Sequence, residues 1–278
     1  MIGPYCSRNG VLVPALEAVI PVDDIHFAYG FGVYETLKVR NRILYFPEHH
    51  EERLFHSARI IGLEHPWRTG AVTGFTRDLV RANGTVNANI KVLLIGGDGP
   101  GEARLFIMAL NPLYPDRKGY RDGGVAVIRP GERPFPQAKT LSMLISTRAF
   151  REARAAGAYD AVLRNREGFL TEGTRTNLFF TDGKTIYSPP EETILSGVTR
   201  RTIAETLAEV GMPLGERPLR EEEIPRYAGF FLSSTSTKIL PLRRLGSHEM
   251  EIPHVIRHLM ALYDRYLERY AAGQEPLF

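Results

Sequence analysis

Two residues of this 278-residue chain could carry covalent chemistry together. A lysine, Lys139, follows a proline-rich loop, and a glutamate, Glu172, lies in an apolar run further along the chain. A desolvated lysine can form a Schiff base with a carbonyl cofactor, and a buried glutamate can hold a pyridine ring protonated as an electron sink. The pair therefore suggests pyridoxal-phosphate chemistry. Taken alone, such a lysine is more often a solvated surface residue, and such a glutamate lies exposed at a sheet edge.

A phosphorylated cofactor also needs a site for a dianion, and three segments offer one. Gly197-Val198-Thr199 stands at the predicted start of an amphipathic helix, where free backbone N–H groups attract phosphate. The hydroxyl-rich run 233–237, which includes Ser234 and Thr235, ends an apolar strand. Arg53, on a helix with an apolar face, could give phosphate a bidentate guanidinium contact. Each segment has an ordinary alternative: an N-cap threonine, a polar strand end, and a surface arginine paired with a glutamate.

Composition excludes several other classes of function. The 35 basic and 32 acidic residues are interspersed, which gives little support for nucleic-acid binding despite a pI near 9.0. One cysteine, Cys6, cannot form an internal disulfide and favours a reducing compartment. No apolar run has the length of a signal peptide or a membrane helix, so we expect a cytoplasmic protein without a membrane partner. The eight histidines show no metal-ligand spacing, so we expect no metal site.

Strand and helix patterns alternate along the chain without an internal repeat. The elements predicted before residue 111 are a hairpin turning at Asn41-Arg42, helices over 47–61 and 71–82, and apolar strands over 90–95 and 103–110. Those predicted after residue 123 are strands over 124–129, 160–164, 170–181, 184–188 and 230–240, and helices over 141–156, from 199, and over 255–271. The proline-rich segment 111–119 favours a domain boundary. We therefore expect a smaller N-terminal α/β domain over 1–116, a linker over 117–122, and a larger cofactor-binding domain over 123–278.

In their order along the chain, these motifs resemble those of the fold-type IV, or class IV, pyridoxal-phosphate aminotransferases. That family includes D-amino-acid and branched-chain aminotransferases and aminodeoxychorismate lyase. The resemblance spans nearly the whole chain and rests on Tyr29–Glu35, His50-x-x-Arg53-Leu54-x-x-Ser57-Ala58, Lys139, Glu172-Gly173-x-x-x-Asn177-Leu178-Phe179, Ser196–Arg200 and Ser234-Thr235. It implies a mixed α/β fold of two domains with the cofactor at their interface. It also implies a homodimer in which the partner subunit helps to build the pocket.

The resemblance further implies a role for each matched residue. Lys139 would bond to pyridoxal 5'-phosphate and later shuttle a proton, and Glu172 would pair with the pyridine nitrogen. The residues assigned to the cofactor's phosphate are Arg53, Val198 through its backbone N–H, Thr199, Ser234 and Thr235. The substrates implied are an amino acid and a 2-oxo acid.

The substrate side of the site departs from both well-known branches of the family. The Arg-x-Arg-x-His carboxylate trap of D-amino-acid enzymes is absent, because Gly96-Gly97-Asp98-Gly99 stands in its place. A branched-chain enzyme would usually have a small residue where this chain has Arg175. Arg175 lies three residues beyond Glu172, and Lys238 lies three residues beyond Thr235.

We therefore expect Arg175 to bind the substrate α-carboxylate with support from Lys238, in a D-amino-acid transaminase that uses a 2-oxo acid such as 2-oxoglutarate. Both residues could instead be surface charges. Tyr34, Tyr29 and Lys91 are further candidates for substrate contacts. A branched-chain L-amino-acid aminotransferase, a lyase of the aminodeoxychorismate type, and a non-enzymatic small-molecule-binding protein remain as alternatives.

Overall fold

The computed structural model describes residues 1–112 and 114–278, which divide into two compact units. The first unit comprises Met1–Leu113, Ala138–Ser142 and Ala271–Phe278, and the second comprises Tyr114–Gln137 and Met143–Tyr270. Residues 117–122, which the sequence assigns to a linker, form a helix of the second unit that is capped by the Asp116 carboxylate. Lys139 falls in the first unit, although most of its neighbours in sequence belong to the second.

The first unit is built on an antiparallel sheet with two longer helices. Its strands are β1 (Tyr5–Arg8), β2 (Val11–Pro14), β3 (Gly32–Arg40), β4 (Ile43–Tyr45), β5 (Ala88–Ile95) and β6 (Arg104–Leu110), and its helices are α1 (Ile25–Ala28), α2 (Pro47–Ile60) and α3 (Ala71–Ala82). Among the described residues the strand order is β2-β1-β6-β5-β3-β4. The predicted two-residue turn at Asn41-Arg42 is confirmed, since both residues have positive φ and Arg40 pairs with Ile43.

The core of the first unit follows from the alternation of apolar residues in β3 and β5. Val33, Leu37 and Val39 of β3 share a buried cluster with Leu54 of α2 and Leu79 of α3. Glu35 shares the face of Val33 and Leu37 and meets Arg53 of α2, whereas Tyr34 and Thr36 lie on the other face of the sheet.

The second unit is built on a larger mixed sheet that closes on itself. Its strands are β7 (Gly124–Pro130), β8 (Asp160–Arg164), β9 (Leu170–Gly173), β10 (Asn177–Thr181), β11 (Ile186–Ser188), β12 (Leu214–Glu216), β13 (Gly229–Ser234), β14 (Lys238–Leu245) and β15 (His248–Glu249). Its helices are α4 (Arg117–Asp122), α5 (Leu144–Ala155), α6 (Val198–Glu209) and α7 (His254–Ala272), of which α7 ends in residues counted with the first unit. The path β10-β13-β14-β7-β8-β9 returns to β10 because Glu172 pairs with Asn177. Leu178, Phe180, Phe230 and Leu232 belong to its buried core.

Three predicted elements are corrected by the structure. The predicted strand 170–181 is two strands, because Thr174 and Thr176 turn the chain to bind the Asp160 carboxylate. The predicted strand 230–240 is likewise a hairpin, β13 and β14, with its turn at 235–237. The helix predicted over 141–156 begins at Leu144, because residues just before it pair with β3 instead. Within residues 1–112 and 114–278, none of the helices combines the length and apolarity needed to cross a membrane.

Candidate active site

The backbone around Lys139 pairs with the first half of β3 through an isolated β-bridge. The Tyr34 N–H donates to the Lys139 carbonyl at 2.9 Å, and the Leu141 N–H donates to the Gly32 carbonyl at 2.8 Å. On the other side, the Lys139 N–H donates to Oγ of Ser57 on α2 at 3.1 Å. Gly32 allows this approach, since a Cβ there would lie 2.7 Å from the Leu141 side chain. Hydrogen bonds to β3 and to α2 therefore fix the backbone at Lys139.

Lys139 shares one sheet face with Tyr34 and Lys91. The bridge between Val33 and Thr140 puts Tyr34 opposite Lys139. Lys91 on β5 pairs with Thr36, which lies on the same face of β3 as Tyr34. The Lys139 Nζ lies 4.4 Å from the centroid of the Tyr34 ring, and the Lys91 Nζ lies 3.4 Å from it. Burial lowers the pKa of Lys91 to about 8. Burial therefore favours the neutral form of the Lys91 amine.

Arg53 is a largely buried residue of α2, and its partner is a carboxylate on β3. Its Nε and Nη2 donate to the two oxygens of Glu35 at 2.7 and 2.8 Å, and the His50 Nδ1 lies 2.7 Å from Oε2 of the same carboxylate. His50, Arg53 and Ser57 lie on one face of α2, at helical spacing. The structure bears out the glutamate partner of the alternative for Arg53 but not its surface position, because only 10% of the side chain is exposed. Glu35 holds the guanidinium plane in one orientation.

In the second unit, Glu172 is a buried carboxylate at the end of β9. Its Oε2 accepts from the Leu195 N–H at 3.2 Å, and its Oε1 lies 2.9 Å from Nε of Arg133. The Arg133 contact is an ion pair without an aligned hydrogen bond, because the Nε–H does not point at the oxygen. The edge alternative for Glu172 is wrong, since the residue is only 6% exposed.

Helix α6 begins two residues beyond Ser196 without a side-chain cap at its N-terminus. The Arg201 N–H makes the first helical bond, to the Gly197 carbonyl, so the N–H groups of Val198 and Thr199 have no partner within the helix. The Thr199 side chain is buried. One turn further, Oγ1 of Thr202 lies 3.0 Å from the Tyr263 phenol, whose pKa burial raises to about 12. Free N–H groups and a hydroxyl at a helix start are suited to an anion.

Ser234 is the last residue of β13, and Thr235 begins the hairpin turn that leads into β14. The Ser234 Oγ accepts from the Thr237 N–H at 3.1 Å, which closes the turn. The Tyr120 hydroxyl donates to the Thr237 carbonyl at 2.8 Å and anchors the turn from outside the hairpin. Lys238, the first residue of β14, has a φ of 57° and leaves the turn in a left-handed conformation.

Arg175 projects from the turn between β9 and β10. Its neighbours Thr174 and Thr176 both donate from Oγ1 to the Asp160 carboxylate, which is fully buried. The Arg175 side chain is exposed, and its guanidinium lies 3.8 Å from the centroid of the Phe150 ring. In the described part of the chain, no carboxylate is paired with it. The Arg175 charge is therefore held in place but not neutralised.

The other two candidates for substrate contact lie in different surroundings. The Lys238 Nζ is 2.6 Å from Oδ1 of Asp264 on α7, an ion pair whose aspartate is half exposed. Tyr29 is 81% exposed at the end of α1 in the first unit.

Sequence reasoning overlooked several residues that hold the site. Glu35 and His50 occur in the motifs, but the sequence assigns them no role. Asp160 and Arg133 belong to none of the motifs. A signal existed for Glu35, because a charged residue at an inward position of an apolar strand needs a buried partner. None existed for Asp160, because its threonine partners are 14 and 16 residues away along the chain.

Comparison with known proteins gives consistent similarities. A model of the family described as amino-transferase class IV matches residues 32–245. A probable branched-chain-amino-acid aminotransferase of Rickettsia felis is 29% identical over 243 residues, or 83% of each chain. A D-alanine aminotransferase of Bacillus licheniformis is 26% identical over 244 residues, 84% of this chain and 86% of that protein. The structure of a branched-chain aminotransferase from Thermoproteus uzoniensis with norvaline superposes with a TM-score of 0.89 at 26% identity, covering 99% of this chain and 100% of that one.

Proposed function

Because the chain belongs to the class IV aminotransferases, enzymes that use pyridoxal 5'-phosphate, we propose that it moves an amino group from a D-amino acid to a 2-oxo acid such as 2-oxoglutarate. The observation that carries the substrate choice is Arg175, an exposed guanidinium with a fixed position and no carboxylate partner among the described residues. The cofactor and the transaminase class follow from the family, and the D-amino acid is the finer proposal.

The residues of the two units fit the chemical groups of pyridoxal phosphate when each unit is considered by itself. The first unit supplies the Lys139 amine for the aldehyde carbon and the Arg53 guanidinium for the phosphate. The second unit supplies the buried Glu172 carboxylate for the ring nitrogen. The phosphate donors of the second unit are the uncapped N–H groups of Val198 and Thr199, the Thr199 hydroxyl, and the hydroxyls of Ser234 and Thr235.

Bound pyridoxal phosphate supplies an electron sink for the electron pair left on Cα when its proton is removed. Lys139 is the proposed base that takes this proton and returns it, a task for which a neutral amine is required. Its backbone is hydrogen-bonded on both sides, to β3 and to Ser57, so the amine moves by side-chain rotation while the backbone stays in place. Glu172 is the proposed group that keeps the ring nitrogen protonated, and its burial strengthens that ion pair.

Arg175 is suited to an α-carboxylate for three reasons. Its neighbours are anchored to Asp160, so the backbone of the turn loses little conformational entropy when the substrate binds. Stacking on Phe150 orients the guanidinium plane and leaves its N–H edge available for a bidentate contact. Lys238 adds a second cation, since its exposed ion pair with Asp264 is worth no more than about 1 kcal/mol and exchanges readily.

A panel of D- and L-amino acids tests this proposal, with conversion of the bound cofactor to its amino form followed by absorption. We expect conversion with D-amino acids, and a loss of kcat/KM of roughly 100-fold in Arg175→Ala, mainly through KM, with the cofactor still bound. Arg166→Ala is the matched control, because Arg166 is an exposed arginine of the same unit. Turnover restricted to L-amino acids would refute the D-amino-acid proposal, and an Arg175→Ala enzyme with unchanged kinetics would refute the proposed carboxylate contact of Arg175.

A branched-chain L-amino-acid aminotransferase is the second candidate. It is favoured by the names of the Rickettsia and Thermoproteus proteins, which are about as similar to this chain as the D-alanine enzyme is. It requires no role for Arg175, so the same panel and the same variant separate the two candidates. Conversion confined to L-leucine, L-isoleucine and L-valine would establish the second.

We also propose that a second copy of the chain covers an apolar strip near the N-terminus. The strip runs through residues 11–29, where exposed apolar side chains are unusually dense for the surface of a single protein. Its most exposed members are Val11, Leu16, Val19, Val22, Ile25 and Tyr29. Tyr29 would then reach the substrate of the partner subunit. Sedimentation of the full chain should give a dimer, and Leu16→Glu together with Val22→Glu should shift it to a monomer.

The cytoplasm is the proposed location. Cys6 is the basis, because it is a free and buried thiol of the kind expected under reducing conditions. Fractionation of cells that express the tagged full chain would test this.

A further inference from the structure

We propose that Asn177 is a positioning residue for the cofactor, which holds the start of α6 at a fixed distance from Glu172. The inference rests on the proposed roles of Glu172 at the ring nitrogen and of α6 at the phosphate. It gives a function to the one polar residue of the Glu172-Gly173-x-x-x-Asn177 motif that has no contact role in the proposed reaction.

Leu195, three residues before α6, is bonded to both strands. Glu172 and Asn177 are directly opposite each other where β9 pairs with β10. The Glu172 carboxylate accepts from the Leu195 N–H at 3.2 Å, and the Asn177 Nδ2 donates to the Leu195 carbonyl at 2.9 Å. All three residues are at least nine-tenths buried, so water does not compete for these bonds. The segment before α6 is therefore held from both strands.

Gly197 shows that this fit is close. A Cβ at residue 197 would fall well inside contact distance of the Asn177 Oδ1. The backbone of Gly197 has φ −68° and ψ 135°, a conformation open to any residue, so the close approach alone requires the glycine. The Asn177 carboxamide thus bonds the chain at Leu195 and supports it at Gly197, one residue before α6 begins.

This arrangement matters because the ring nitrogen and the phosphate of the cofactor are separated by a rigid aromatic ring. A protein that binds both ends gains full affinity only when its two binding groups keep the matching separation. Glu172 and the N-terminus of α6 come from different elements, and Leu195 and Asn177 link them. Loss of Asn177 should therefore weaken the binding energy that comes from engaging both ends at once.

The test compares the affinity of the full chain, stripped of cofactor by dialysis, for pyridoxal 5'-phosphate and for pyridoxal, which lacks the phosphate. We expect Asn177→Ala to reduce the preference for the phosphorylated form by about tenfold or more, because a displaced N-terminus of α6 contributes less binding energy to the phosphate. Asn177→Asp serves if the alanine variant does not fold, since it keeps the shape and loses the Nδ2 donor. Asn165→Ala is the matched control, because the Asn165 side chain also bonds the backbone in a hairpin of this unit, where its Oδ1 accepts from the Phe169 N–H.

Equal losses for both compounds, or no loss, would overturn the inference, since a purely structural asparagine would affect them alike. A wild-type chain with no preference for the phosphate would overturn the assignment of α6 as well. The inference alone fails if wild type prefers the phosphate and the Asn177 variants retain that preference.

A double variant gives an independent measurement. Gly197→Ala alone should reduce affinity for pyridoxal 5'-phosphate, because its Cβ pushes against Asn177. Once Asn177→Ala has removed the obstructing carboxamide, adding Gly197→Ala should cost less than threefold further. Two losses that multiply independently would show that Gly197 and Asn177 do not act through each other.

Discussion

Glu35 of the first unit and Glu172 of the second are buried carboxylates whose charges are balanced in different ways. Glu35 on β3 has a side chain only 1% exposed, and three N–H donors of His50 and Arg53 surround its carboxylate at 2.7 to 2.8 Å. Glu172 on β9 meets a backbone N–H at 3.2 Å and an Arg133 side chain whose contact is not an aligned hydrogen bond. The first is a closed ion cluster within its unit, and the second is joined to the segment that leads into α6.

The difference shows that burial of a carboxylate does not by itself indicate a role in the reaction. Burial alone would raise the pKa of Glu35, but Arg53 and His50 hold it well below its usual range, so this carboxylate stays ionised. Its charge serves to fix the orientation of Arg53, the residue proposed to bind the phosphate of the cofactor. The charge of Glu172 is instead proposed to act on the cofactor directly. Substitution of each glutamate should separate stability from activity.

The largest effect is expected for Glu35→Gln, which removes the charge between two buried basic groups. We expect the free energy of unfolding to fall by about 3–5 kcal/mol, because Arg53 is left as a buried charge without its counterion. Urea unfolding measures it, with Glu52→Gln as the control on the exposed side of α2. A loss similar to that of the control would mean that Glu35 does not hold the cluster together.

Glu172→Gln should affect catalysis more than stability. We expect kcat to fall roughly 100-fold, equivalent to about 2.7 kcal/mol, because an amide cannot keep the ring nitrogen protonated. The free energy of unfolding should fall less than in Glu35→Gln, since the Leu195 N–H can still donate to the amide oxygen. Steady-state rates and urea unfolding of Glu172→Gln and of the exposed control Glu167→Gln provide both numbers. The reverse pattern, with activity retained and stability lost, would contradict the proposed role.

The local elements around both glutamates were predictable from the sequence, and their partners were not. Helical spacing predicted α2 and so placed Arg53 beside Ser57, and alternation predicted β3. The sequence predicts one strand over 170–181 and not the turn at Arg175. The group that stabilises this turn is the Asp160 carboxylate on β8, which is distant along the chain. Lys139 was assigned next to a helix start, whereas its segment pairs with a strand about a hundred residues earlier. Local patterns do not record such long-range pairing.

The roles within each site divide in the same way. The motif order pointed to Lys139, Glu172 and Arg53, because the chemistry of these side chains is visible in their residue types. It did not show that Arg53 is oriented by Glu35, or that Asn177 and Gly197 fit each other, because those facts depend on atomic contact.

The smallest expected effect is a difference in acid sensitivity that arises at His50. Burial lowers the pKa of His50 despite its contact with Glu35, because Arg53 already balances the carboxylate. The unfolded chain therefore binds a proton near pH 6.5 that the folded chain does not, so stability falls as the pH falls below 6.5. The lowered pKa of Glu35 acts in the same direction below about pH 4.5, where the unfolded carboxyl becomes protonated first.

His50→Gln isolates the first of these two contributions. The wild-type free energy of unfolding should fall between pH 7 and pH 5 with a slope of up to about 1.4 kcal/mol per pH unit from this one histidine. His50→Gln should flatten that slope, and His56→Gln, which removes an exposed histidine of the same helix, should keep it. Urea unfolding at pH 7, 6 and 5 gives the comparison. Equal slopes in the two variants would show that His50 takes up its proton in the folded state, and the cluster around Glu35 would then carry a net positive charge.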